Sequence, residues 1–594
     1  MMSADSTPDV RGFLLLVQPG AAQPVQGWPD PVIANGVQVC FFGYLAEPAD
    51  LRQTLGLDKD ASYAAIVGAA WRRWRGDVTE RVLGEFAAAV VDGSEVAVVG
   101  DRMGLRPLYL CADHEVVVVS TDLAVLARET MACATLDEEY LADLFGAGQH
   151  LGPRTPYRNV RRLQAGEYAL WRPGRLRVLG GWRPREPDPV GTRDDHQERL
   201  RATVTRVVSG ALPQGPVAVA LSGGLDSSTV LATVPRTTAV HALSFVFPAA
   251  VGSDETAWMQ AALEPDPVPW QPIDGSKHGH FTAGPEFDTF FAAPTPVALA
   301  WALVAAESAA ARVVGATAIL TGEGGDAVFL GGILPWYLAD LLRTGRLKRL
   351  VAEAARWAEY AEPRRAAMFW LHRAAFDARR SWRSERALSL TPIQPLLRSA
   401  PWLEPTYIAE QRLQGREAAA GPVHAASVHS QGVVQGIVAS SETVRNNEAL
   451  TSRQIDVRHP FLAPPLVDLA LATPWSVGVD PRIDRVVQRY AFRGIVADTT
   501  LRRRSKNHPE EAILRGLERN PAWVDFLLNQ PQIVSRGYAN SNRWAAAVRQ
   551  ATVGHVASIR HFGTAVQIEI WLRHLGRVGS PQVLTGALHR PVRS

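Results

Sequence analysis

The chain has 594 residues, 47% of them hydrophobic, with 48 glycines and 41 prolines spread along it. It is too long for one ordinary core, and its composition is globular, which points to two or three domains. The formal charge of +3 gives no electrostatic reason to expect nucleic acid as a partner. The three cysteines, Cys40, Cys111 and Cys133, suit neither a disulfide scaffold nor a metal site and fit a reducing, cytoplasmic location.

The opening Met1–Val10 is polar and acidic, unlike a secretory signal. Short strand-like runs follow at Gly12–Val17, Val37–Phe42, Phe86–Val91, Val96–Val99 and Val116–Ser120, parted by turns such as Asp92-Gly93. They predict a β-rich layered domain. The polar, Pro-rich Arg183–Arg193 reads as a linker, so the predicted domains are residues 1–185 and 195–594. From Gln197 apolar strands alternate with longer helical segments: strands Val217–Leu221 and Ala242–Phe247, a helix near Ala298–Val314, then strand Ala316–Thr321. That alternation predicts an α/β domain with a parallel sheet covered on both faces. Ala298–Leu320 is the most apolar stretch, but Glu307, Arg312 and Gly315 interrupt it, so no membrane insertion is expected. Beyond Gly332 the pattern is mostly helical, and the arginines between Arg364 and Arg386 alternate with acidic residues as on a solvated helix face.

The most informative segment follows the apolar run Val217–Ala220: Leu221-Ser222-Gly223-Gly224-Leu225-Asp226-Ser227-Ser228. The two glycines permit a tight turn with close backbone approach, and the serines suit the start of the next helix. Backbone amides, hydroxyls and the helix dipole together make a pyrophosphate site. Asp226 cannot hold an anion itself, so its expected use is Mg²⁺ bridging phosphate oxygens. The Gly-Lys-Ser/Thr ending of a Walker loop is absent. The segment resembles the PP-loop of ATP pyrophosphatases that form acyl-adenylates. A second strand leads into Thr321-Gly322-Glu323-Gly324-Gly325-Asp326. In open parallel sheets ligands bind outside the carboxyl ends of strands, so Asp226 and Asp326 are expected to share Mg²⁺ on ATP.

These two segments, with Gly331-Gly332, resemble the synthetase domain of asparagine synthetase B and its relatives, although Ala327 replaces the family's Glu after the Asp. Asp456-Val457-Arg458-His459-Pro460-Phe461-Leu462 resembles the family's Glu-x-Arg-x-Pro-Phe-Leu-Asp, with Ala463 for the last Asp, and Arg504-Ser505-Lys506 its basic segment. Gly84-Glu85-Phe86-Ala87 through Asp92, Asp101-Arg102-Met103-Gly104-Leu105-Arg106-Pro107-Leu108-Tyr109 and Ser120-Thr121-Asp122-Leu123 resemble its glutamine amidotransferase-like half. The resemblance implies an Ntn-hydrolase-like class II amidotransferase domain ahead of a PP-loop α/β synthetase domain with a helical C-terminal part.

An active amidotransferase of that type exposes an N-terminal Cys, whereas this sequence opens Met1-Met2-Ser3 and its first cysteine, Cys40, sits in a strand-like run. Without a thiolate no glutamyl thioester forms, so the amine is expected from elsewhere. Two branches of the family join an amine to a carboxylate within one molecule: the β-lactam synthetases and the lasso-peptide macrolactam cyclases. The length, and a C-terminal half rich in Trp and Arg suited to cradling a peptide, favour the cyclase. That resemblance implies a precursor peptide substrate, ATP and Mg²⁺, a leader peptidase and a leader-recognition protein. Lys506 is expected beside the acyl-adenylate, and Glu323 to orient the amine or relay its proton. Asp456, Tyr337 and Glu442 are further candidates for the base, and Val246 and Phe247 are expected to line the adenine pocket. An ammonia-using asparagine synthetase relative and a non-catalytic nucleotide-binding module are the alternatives.

Overall fold

The computed structural model describes residues 12–575 apart from 19–20, 25–30, 35, 130–134, 185–191, 249, 251, 286–289, 332–334, 362–364, 384–395, 415–424, 426, 452–454 and 505–509.

The N-terminal strands form two antiparallel sheets. One runs in the order Ala21–Pro24, Leu14–Gln18, Val117–Ser120, Tyr109–Ala112, Arg161–Arg162; the other runs Arg175–Gly180, Glu167–Arg172, Glu95–Gly100, Gly84–Asp92, Val37–Leu45, Val32–Ala34. The period of two explains why they stack. Ala87 and Ala89 point into the gap between the sheets with Leu15, Val17, Val117 and Val119. Phe86, Ala88 and Val90 point outward onto Ile66, Val67, Ala70 and Trp71 of helix Tyr63–Trp74. Leu14, Leu16 and Val118 face helix Glu138–Ala147 through Leu141 and Phe145. The result is a four-layer α/β/β/α sandwich, and strand Gly84–Asp92, buried on both faces, has lost the polar alternation of a surface strand.

The second domain opens with helix Arg193–Gly210, whose start is fixed by a capping box between Thr192 and Asp195. Its Leu200, Val204, Val207 and Val208 recur at helical spacing and join the core beneath the sheet of this domain. That sheet is entirely parallel, in the order Trp270–Asp274, Val240–Val246, Val217–Ala220, Ala318–Leu320, Asp456–Arg458. The chain starts at its centre, steps outward twice, then returns to the other side of the first strand. The strand order therefore reverses between Val217–Ala220 and Ala318–Leu320, where a crevice opens at the carboxyl edge. Helix Trp301–Val313 makes the crossover into Ala318–Leu320.

From Tyr337 onward the regular elements among the described residues are helices apart from the strand Asp456–Arg458. Among the described residues most tryptophans of this half are core: Trp402, Trp523, Trp544 and Trp571 are each 1% exposed or less, Trp336, Trp357 and Trp370 are buried as well, and Trp475 is half-buried. The expectation that tryptophan here cradles a peptide is corrected on that ground, since these rings are packed against protein. No helix among the described residues is long and apolar enough to cross a membrane.

Candidate active site

The first turn leaves the central strand at Leu221, which is buried and whose N–H donates to the Leu243 carbonyl of the next strand (2.7 Å). Gly223 has φ +69, and a Cβ there would meet the Trp258–Met259 backbone at 2.5 Å, so the turn needs glycine. The Ser222 N–H donates to Ser227 Oγ (3.2 Å), and the two hydroxyls lie 3.1 Å apart. Helix Leu225–Thr233 begins at Gly224 with no side-chain cap, leaving its first amides directed at the crevice. Ser228 is buried, and its Oγ has no hydrogen-bond partner.

The second turn interlocks with the first. A methyl on Gly325 would lie 2.3 Å from Asp226 Cγ, and one on Gly322 would lie 2.8 Å from the Ser227 nitrogen. Gly324 takes φ +88, with the Leu462 side chain 2.5 Å from where a Cβ would be. Phe461, beside Leu462, packs edge-on against Phe329 at 4.9 Å. The Pro-Phe-Leu motif is therefore the apolar floor of this turn. Asp326 opens helix Gly325–Val328, with its side chain 61% exposed, and Glu323 is exposed at the tip.

One guanidinium joins the two turns. Arg485 donates to Asp226 Oδ2 (2.7 Å) and pairs with Asp326 Oδ1, while Gln488 Nε2 donates to Asp226 Oδ1 (3.1 Å) and Thr229 Oγ1 (3.3 Å). Arg485 has φ 51 and ψ 40 at the N-cap of helix Val486–Ala491. A left-handed non-glycine residue costs about 1–2 kcal/mol, and such conformations cluster at functional sites. Neither Arg485 nor Gln488 stands in a motif singled out above. Their signal is the i, i+3 spacing that puts both on one helix face.

Among the described residues no group of three or more His, Cys, Asp or Glu gathers as a metal site. Mg²⁺ on a nucleotide takes only one or two carboxylates and completes its shell with phosphate oxygens and water. Asp226 and Asp326, drawn together by one cation, fit that requirement.

Val246 ends its strand at the same edge, paired with Asp274, whereas the Phe247 ring, also expected at the adenine pocket, packs over Gly275 and walls a separate concavity. Lys506 lies outside the described residues, as do Gly332, Cys133 and residues 1–11. Arg503, three positions before Lys506, donates to the Gly223 carbonyl (3.2 Å), pairs with Glu255 and covers the Trp258 ring at 4.7 Å. Arg503, the residue just before the basic motif, is thus tied to the first turn.

Three candidate bases are corrected. Asp456 is in register with Ala318 at the amino end of its strand, and it accepts from Arg106 (2.7 Å) and Arg458 (2.7 Å). Two guanidiniums make it a poor proton acceptor. Glu442 is buried between Arg162 (2.7 Å) and Arg445. Tyr337 donates to Glu353 (2.9 Å) and stacks on Trp475 at 4.0 Å, and burial raises its phenol further from reach.

Asp456 belongs instead to the contact between the two domains. Arg106, with a fully buried side chain, also donates to the Val457 carbonyl (3.0 Å) and lies 3.3 Å from Glu85. Glu85 accepts from the His459 N–H (2.5 Å) and the Tyr44 hydroxyl (3.1 Å), and the Arg458 guanidinium lies 4.1 Å over the Tyr44 ring. The residues that resemble an amidotransferase half are in this way spent on holding the wall of the other domain.

The sequence profile of the asparagine synthase family matches residues 197–573, and that of the glutamine amidotransferase domain matches residues 33–179. Asparagine synthetase [glutamine-hydrolyzing] 3 of Bacillus subtilis is 22% identical over 202 residues, covering 33% of this chain and 33% of that protein. Amidase chry2 of Gibberella zeae is 26% identical over 236 residues, covering 38% and 34%. The matched stretch spans about a third of the length of each of these curated relatives. A solved B. subtilis glutamine phosphoribosylpyrophosphate amidotransferase, complexed with ADP and GMP, is 12% identical over 45% of this chain and 75% of its own; its TM-score of 0.21 is too low to carry an argument. With the two profiles, the folds above are a class II amidotransferase-like sandwich and a parallel α/β synthetase domain with a helical C-terminal part.

Proposed function

Because the chain belongs to the asparagine synthase family, we propose that it is an AMP-forming carbon–nitrogen ligase: it adenylates a carboxylate with ATP and lets an amine capture the acyl group as an amide. The observation that carries this reading is the Asp226–Arg485–Asp326 bridge across the crevice where the strand order reverses. The amides opening helix Leu225–Thr233 and the Ser222 and Ser227 hydroxyls bind the phosphates. Asp226 and Asp326 would hold Mg²⁺, which when bound would offset negative charge on the phosphates. The acyl carboxylate attacks the α-phosphorus and expels pyrophosphate; the amine then attacks the acyl carbon and expels AMP. Lys506 is the residue assigned the point charge on the adenylate, and Glu323, exposed at the tip of its turn, takes the amine proton.

The finer reading is that amine and carboxylate belong to one peptide, an N-terminal amine closing on an Asp or Glu side chain to give a lasso-type macrolactam. Two features support an amine carried by the substrate. Cys40 is buried within a strand, and burial pushes the Cys111 thiol up to about 11, so neither is a ready thiolate. Glu85 and Arg106 are engaged across the domain contact. Holding both ends of one peptide makes the second step unimolecular, worth several kcal/mol. A leader peptidase and a leader-recognition protein are the partners this reading implies.

Asp226→Ala and Asp326→Ala should each lower substrate-dependent AMP release about 100-fold or more with the circular dichroism spectrum unchanged. Undiminished release in both would remove the assignment. With a precursor peptide and ATP, mass spectrometry should find the peptide lighter by one water. The same loss from an amino-acid-sized substrate alone would favour a β-lactam synthetase.

A further inference from the structure

A second concavity lies on the same sheet edge, at the carboxyl ends of strands Val240–Val246 and Trp270–Asp274. It has a volume of about 180 Å³ and is walled by Phe247, Ser276, His280, Thr282, Arg515 and Arg519. Among the described residues its lining carries no acidic side chain. Arg515 and Arg519 are four apart on helix Glu510–Arg519, so both guanidiniums serve one side. Ser276 Oγ is buried without a hydrogen-bond partner, and burial holds the His280 imidazole at about 4, neutral at pH 7.

The walls are built by close approach. A Cβ on Gly275 would lie 2.3 Å from the Phe247 ring, and one on Gly516 would lie 2.0 Å from the His280 carbonyl oxygen. Phe281 is held at φ 60, with its carbonyl accepting from Asn520 Nδ2 (2.8 Å). A left-handed phenylalanine is a strained conformation of the kind that collects around ligand sites.

We propose that this cavity anchors a carboxylate of the acyl substrate other than the one that is activated, an inference that rests on the ligase reading above. Forked guanidiniums and hydroxyls beside an aromatic wall suit a planar carboxylate on a short aliphatic body. A polyphosphate needs a glycine-rich turn and a cation-binding carboxylate, which the turn at Leu221–Ser228 supplies and this cavity lacks. A cavity of 150 Å³ admits benzene, so a group of about six heavy atoms fits. The cavity and the crevice between the two acidic turns are two strand spacings apart, about 10 Å. The substrate class is therefore an acyl donor with a second acidic group at that distance from the reacting carboxylate, as in a peptide with two acidic side chains.

Calorimetry on the full chain tests this with three probes: glutarate, pyrophosphate and Mg·ATP. Glutarate should bind the native protein, and Arg515→Gln and Arg519→Gln should each weaken it about tenfold, with Ser276→Ala weakening it less. Mg·ATP affinity should stay within about twofold in all three variants. In Asp226→Ala the pattern should invert, with glutarate retained and Mg·ATP weakened. Absent or unaltered glutarate binding overturns the proposal. So does a parallel loss of pyrophosphate or Mg·ATP in the arginine variants, which would make the cavity part of the phosphate site. Failure of Mg·ATP to bind the native protein while glutarate binds would instead sink the ligase reading alone.

Discussion

Two glycine-flanked acidic segments behave in opposite ways. Glu85, behind Gly84, is 3% exposed and enclosed by Arg106, His459 and Tyr44. Asp326, behind Gly325, is open to solvent on its turn with one guanidinium beside it. A buried carboxylate with a partner on every side has no capacity left for a ligand, and removing one partner leaves a costly unpaired charge. A carboxylate at an open sheet edge, facing another across a crevice, can exchange its partner for a metal. The difference lies in what surrounds the residue type.

Breaking the enclosed cluster should have the largest effect. Arg106→Met leaves Glu85 and Asp456 without their shared cation and should cost about 3–5 kcal/mol, read from urea unfolding; a change under about 1 kcal/mol would place the cluster among dispensable surface pairs. The open pair should respond by gaining affinity. In Arg485→Met the two aspartates lose their internal cation, so Mg²⁺ should bind the nucleotide-free protein about tenfold more tightly, measured calorimetrically. Equal affinity in the two proteins would mean that Arg485 does not compete for that place.

A gentler probe is pH. Burial alone would raise the Glu85 carboxyl, but the charge and hydrogen bonds of His459 and the charge of Arg106 bring it below its ordinary value. A depressed carboxyl stabilises the fold above its unfolded pKa, and that contribution fades as pH falls through the folded value. Stability should therefore drop with acidification below the ordinary glutamate value near 4.5. Glu85→Gln should flatten that drop, and parallel pH profiles would refute the coupling. The smallest effect belongs to Arg206, which donates to Glu47 (2.6 Å) at the rim of the same contact. Arg206 is 58% exposed, so Arg206→Ala should cost no more than about 1 kcal/mol.

What was legible in the sequence was local. Turn chemistry announced both acidic turns, because a glycine required at φ +69 or +88 leaves its mark on the residues beside it. Apolar runs announced five of the eleven described strands of the sandwich and three of the five strands of the parallel sheet. The short strand Asp456–Arg458 carries no apolar alternation and escaped that reading. Its period of two puts Asp456 and Arg458 on one face, toward Arg106 and Tyr44, which motif membership could not say. Arg485 stands 259 residues from Asp226, and no pattern within a window of sequence links them. Tryptophan at helical spacing reads alike whether it lines a groove or fills a core, and here it fills the core.

The fifth strand has a consequence for synthesis. Asp456 pairs beside Ala318, which leaves the ribosome 138 residues earlier, and translation at about 5–20 residues per second makes that delay roughly 7–28 s. Throughout that interval the inner strand Ala318–Leu320 presents a bare apolar edge, a template for pairing with other nascent chains. Arg106 and Glu85 have by then already emerged, so the surface awaiting that strand carries charge. Charge of this kind discourages stray strands from docking until the chain's own late segment arrives.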